Sequence, residues 1–130
     1  MILASILLSA LAGAGFGALW FSRFGAAWRA AAGLSEADVA RIGRGGRIYA
    51  VAFAANLIAA GAMRHMFASG GYSGPLSGLL TGFELGVGIA APWLVMSAAV
   101  AGRPWRLAAI EAGHAAGAGA AIGLVLGFFA

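Results

Sequence analysis

The sequence predicts an all-α integral membrane protein, with four transmembrane helices in an up-down bundle and a short interfacial helix in the first cytoplasmic connection. Three observations carry that expectation. Apolar residues are 62% of the 130 and charged residues only 9%, with a mean hydropathy of +0.94, whereas soluble domains hold about a quarter charged residues. Eight basic and four acidic side chains are too few to clothe a 12.9 kDa globule, so lipid is the expected shell. The apolar residues also fall into four runs of membrane-crossing length, parted by polar or Gly/Pro-rich connections.

The same totals narrow the function. Without cysteine there are no disulfides, thiolate metal sites or cysteine nucleophiles. A net charge of +4 and a pI near 11.2 would suit nucleic acid. All the basic residues are Arg, however, and most flank apolar runs, a distribution that sets membrane topology; no nucleic-acid partner is expected.

Residues 2–21 form the first expected span, uncharged and closed by the aromatic cluster Leu19-Trp20-Phe21. Ala10-Leu11-Ala12 has the look of a signal-peptidase site, but no basic residue precedes the apolar run, and the expectation is an uncleaved span. Residues 22–47 then read as a polar connection. Within it Ser35-Glu36-Ala37-Asp38 fits a capping box, with Leu34 and Val39 placed for a hydrophobic staple, and predicts a surface helix over 36–42. Acids in its first turn and Arg41 in its last suit the helix dipole, and Gly43 supplies a stop.

The second span covers 48–66, with Asn56 its strongly polar interior residue and Arg64-His65 at its far end. A Gly/Ser/Pro turn leads to the third span, 76–100, in which Pro92 is a site for a kink. A tight turn at 102–106 leads to the fourth, 107–129, so residues 1–130 form a single membrane domain. Arg23, Arg29, Arg41, Arg44, Arg47, Arg103 and Arg106 fall on one side and Arg64 alone on the other. The positive-inside rule then places both termini on the periplasmic side of a bacterial inner membrane, with Trp20, Trp28, Trp93 and Trp105 as interfacial anchors.

Small residues supply the expected packing surfaces, because in lipid helices associate by close contact. Gly13 and Gly17 make one ridge, Gly78, Gly82 and Gly86 a second, and Gly119, Gly123 and Gly127 a third, each repeating every four residues on one face. They serve either packing within the bundle or an interface with another chain.

Four side chains stand out chemically. Glu84 lies about 12 Å inside the third span at 1.5 Å per residue. A charge there costs several kcal/mol, so Glu84 is expected to be protonated, paired or turned to a wet cavity. Glu111 and His114 share a face of the fourth helix, one turn apart. Their Glu-x-x-His spacing matches half of a dimetal site, but the chain lacks the second half, and no metal or cofactor is expected. Glu111 is expected instead to pair with Arg106, and His114 to satisfy a buried hydrogen bond or, in a weaker reading, to ligate a pigment or haem. Asn56 and His114 lie at similar depth, so Asn56, Glu84 and His114 form a proton or substrate relay if the helix rotations bring them together.

Gly17-Ala18-Leu19-Trp20-Phe21-Ser22, Phe24-Gly25, Trp28 and Gly33-Leu34-Ser35-Glu36 resemble the opening of a family of small bacterial membrane proteins, domain of unknown function 1761. The segment from Arg103-Pro104 through Ile110 and Gly113-His114 to Gly123 and Gly127 resembles its last turn and span. The resemblance implies a four-span protein of unassigned biochemistry, and it does not extend to Glu84, so it implies no family-wide role for that residue. The leading functional expectation is a non-enzymatic membrane protein that acts by helix association, as a homo-oligomer or as an accessory subunit of a larger membrane complex. The alternative is a small proton-coupled transporter or channel using Glu84.

Overall fold

The helix that begins in the first apolar run does not end where its charges begin. The computed structural model describes residues 1–130, and α1 runs Ile2–Ala32. Residues 22–32, expected in the polar connection, are therefore helical. Arg23 and Arg29 interrupt the hydropathy, yet Arg and Ala are strong helix formers. The stop comes at Gly33, whose left-handed backbone (φ 71, ψ 26) lets the amides of Gly33 and Leu34 bond back to the carbonyls of Ala30 and Arg29. At 31 residues α1 is about 46 Å long, against a hydrocarbon thickness of about 30 Å.

The capping box then starts α2, Glu36–Gly43. The Asp38 amide donates to the Ser35 hydroxyl at 3.1 Å, and the Ser35 amide donates to the Asp38 carboxylate at 3.0 Å. A 3-10 turn, Arg44–Gly46, separates it from α3, Arg47–Gly70. Gly45 and Gly46 take φ of 76 and 69, a backbone open to glycine at little cost.

The third span is a helix in two parts: α4, Pro75–Leu85, and α5, Ala91–Val100, joined by a π turn over Gly86–Ala90. Pro92 supplies the reason. It has no amide proton, and its ring would press on the carbonyl four residues earlier. One wider turn, in which the Ala91 amide bonds to Gly86, accommodates it without breaking the helix. Then α6, Trp105–Phe128, completes the chain.

The four long segments Ile2–Ala32, Glu36–Gly70, Pro75–Val100 and Trp105–Phe128 are all long and apolar enough to cross a membrane, and they alternate in direction. In the middle lies α6, with α4 along one side and α1 along another; α3 packs chiefly on α1. Although a short turn joins α3 to α4, they do not pack along each other, so the bundle is open between them. One apolar cluster, Ala10, Ala60, Met63, Phe67, Ile122 and Leu126, ties α1, α3 and α6 at the end holding the N terminus. A second, Ala98, Leu107 and Ala108 with Trp28, Ala31 and Ala32 against it, ties the Arg-rich ends of α1, α5 and α6.

Candidate functional site

Helices α4 and α6 meet backbone to backbone, and glycine makes that possible. A Cβ at Gly78 would run into the Gly123 carbonyl and one at Gly82 into the Gly119 carbonyl, with the reciprocal clashes from Gly119 and Gly123. The seam continues at both ends, Gly86 against Ala115 and Ala116, and Gly127 against Gly74 and Pro75. Two of the three sequence ridges therefore face each other within one copy, backbone on backbone.

Polar and aromatic side chains take the third ridge, on α1. Gly13 leaves room for the Asn56 amide oxygen and Ile122, and Gly17 for His114, whose Nε2 would lie 2.9 Å from a Cβ at that position. Asn56 and His114 thus approach α1 from different helices, about 6 Å apart in depth at 1.5 Å per residue. Neither meets the other's hydrogen-bonding groups: the Asn56 side-chain amide donates to the Ala52 carbonyl of its own helix at 2.8 Å. His114 sits among aromatic rings, 5.0 Å from Phe21 and 6.3 Å from Phe16 between centroids. Its Nε2 is turned against α1, at the position of Gly17.

The structure corrects the expected environment of Glu111. It forms no ion pair with Arg106; its carboxylate accepts from the indole N–H of Trp28 at 3.2 Å. Trp28 packs against the cluster of Ala98, Leu107 and Ala108, and the long reach of α1 delivers its indole there. Trp20, expected as an interfacial anchor, is packed against α6. Its indole donates to the Ile110 carbonyl at 3.0 Å, and its ring lies over Gly113 as Phe16 lies over Gly117. An indole that enters a packed seam needs a partner for its N–H, and the α6 backbone provides it. Trp93 and Trp105 stay outward, 64% and 77% exposed. Gly113 and Gly117 went unread in the sequence, although their spacing of four is the same signal as in the other ridges.

Glu84 lies elsewhere. Gly82 and Gly86 face α6, and two residues along a helix turn it by about 200°, so Glu84 points away from α6, outward from the molecule. It has no hydrogen-bond or ion-pair partner in the chain. Around it Leu76, Leu80, Phe83 and Val87 form an exposed apolar stripe, each 46–70% exposed. Asn56, Glu84 and His114 are not brought together within one copy: Glu84 faces away from α6, whereas His114 is carried on the face of α6 turned to Gly17 of α1, and Asn56 reaches Gly13 of α1 from α3. No three His, Asp or Glu side chains converge on a point that would hold a metal ion.

A glycine seam and an outward carboxyl in an all-helical chain define a class, the small helical proteins whose four long helices are apolar enough to cross a membrane. Within it, the family described as protein of unknown function (DUF1761) matches residues 4–127, and the chain belongs to that family. No curated protein matches the chain, and neither does any solved structure.

Proposed function

We propose that this is a multi-pass membrane protein that works by association with a second copy of itself through the outward face of α4. The carrying observation is Glu84, alone in the apolar stripe of Leu76, Leu80, Phe83 and Val87. Turned to hydrocarbon, a carboxyl loses its hydrogen bonds to water, and even the neutral acid leaves a donor and an acceptor unsatisfied. A neutral carboxylic acid is its own complement, donating through O–H and accepting through C=O. A two-fold axis along the membrane normal brings two such groups to the same depth, where each satisfies the other. The glycine ridges support this choice of face by being used up inside one copy.

In this reading the protein lies in a bacterial cytoplasmic membrane with both termini outside. It uses no cofactor and carries out no catalysis. Native mass after gentle extraction tests it. Wild type and Glu84→Gln, which keeps both a donor and an acceptor, are expected at a multiple of 12.9 kDa; Glu84→Leu is expected at the mass of one chain. Wild type recovered as a single chain overturns the proposal, and wild type held by other proteins replaces self-association with an accessory role. Transport through Glu84 would show instead as proton-dependent flux in vesicles, lost in Glu84→Gln.

A further inference from the structure

At the Arg-rich end, where α2 turns into α3, a concavity of about 430 Å³ is lined by Arg41, Ile42, Arg44, Arg47, Ile48 and Val51. Its chemistry is divided. Three guanidinium groups are carried by its lining, and the only carboxylate paired with any of them is Asp38, 3.2 Å from Arg41. Arg44 and Arg47 have no anionic partner in the chain. The remaining lining is apolar and uncovered: Ile42 is 40% exposed, Ile48 43% and Val51 56%.

The placement matters as much as the composition. Arg47 is the first residue of α3, and Ile48 and Val51 belong to the turn that follows it toward the apolar span. The concavity therefore crosses from the polar end of a span to its hydrocarbon-facing part. A free anion would need only the arginines, whereas a molecule with an anionic head and apolar chains meets both halves. A second hollow at this end, lined by Ala27, Ala30, Ala31, Pro104, Trp105 and Arg106, offers a single arginine where this one offers three.

We propose that the α2–α3 corner binds an acidic phospholipid, with its headgroup phosphate held by Arg44 and Arg47 and an acyl chain lying along Ile48 and Val51. Arg41 adds charge at the rim while remaining tied to Asp38. This site is on α3 and is independent of the self-association proposed for α4.

The test uses the full chain reconstituted in phosphatidylcholine vesicles with trace spin-labelled phosphatidylglycerol or spin-labelled phosphatidylcholine, reading the motionally restricted lipid fraction by electron paramagnetic resonance. Wild type is expected to prefer phosphatidylglycerol. Arg44→Gln and Arg47→Gln should each lower that preference about fivefold, in line with the usual attraction per basic residue near an anionic surface. The double change Arg103→Gln with Arg106→Gln should leave it nearly intact. Ile42→Glu, which adds a carboxylate to the corner without touching an arginine, should weaken it too. Equal loss in the Arg103/Arg106 variant would reduce the effect to general basic charge, and displacement of the lipid by inorganic phosphate would make the site one for free anion. Either result, or an unchanged preference in the Arg44 and Arg47 variants, overturns the proposal.

Discussion

Gly82 and Glu84 stand two residues apart and face opposite ways, and most of the molecule's chemistry follows from that. Because the Gly82 Cα lies against the Gly119 backbone, a single methyl has nowhere to go. Gly82→Ala is expected to destabilise the protein by about 1–3 kcal/mol, the usual cost of overpacking. Gly88→Ala, where a Cβ meets nothing within 4 Å, should stay close to wild type. Unfolding in mixed detergent micelles, followed by circular dichroism, separates the two. At this scale the sequence was partly legible. Once the ridge of Gly78, Gly82 and Gly86 is read as a packed face, helical geometry turns Glu84 outward. What pattern alone leaves open is rotation between helices: Asn56 and His114 both reach α1, yet one bonds to its own backbone and the other is enclosed by Phe16 and Phe21. The contact of Trp28 with Glu111 joins residues 83 apart in the chain, beyond the reach of any local signal.

Helix α1 shows why hydropathy and helicity must be read separately. Hydropathy ends the first span near Phe21, while backbone preference carries the helix through Ala-rich sequence to Gly33, where a left-handed residue stops it. The additional turns are what bring Trp28, Ala31 and Ala32 onto α5 and α6. In contrast α2 was legible almost to the residue, since its signal is local: Ser35 and Asp38 cap each other three residues apart. That cap also makes a pH prediction. The Ser35 amide, then its hydroxyl, then Arg41 hold the Asp38 carboxyl below its ordinary value of 3.8. A depressed folded-state pKa means that the cap's contribution is fully present above about pH 4 and is lost as pH falls through the lower, folded value. Amide exchange at Ser35 and Asp38 should therefore hold steady from neutral pH to about 4, apart from the intrinsic pH dependence of exchange, and lose protection below it. Loss of protection already between pH 7 and 5 would contradict the cap as described.

For the molecule as a whole, α6 acts as the hub: α4 lies along its glycine face, α1 along its face of Ile110, Gly113 and Gly117, and α3 leans on both α1 and α6. The alternation of directions and the number of spans could be read from the sequence, because apolar runs and turns are local. The opening between α3 and α4 could not, since it depends on which helices choose each other. An open bundle with an outward carboxyl on α4 makes self-association the central claim, and the chain's lack of cysteine makes it directly testable. Single cysteines at Phe83 and Val87, on the Glu84 face, and at Ile58, 75% exposed on α3, each give the protein one thiol. Mild oxidation in the native membrane, read as the disulfide-linked dimer on a non-reducing gel, is the decisive measurement. The account predicts dimer from Phe83→Cys or Val87→Cys and little from Ile58→Cys; equal yields at all three positions, or dimer from Ile58→Cys alone, would contradict it.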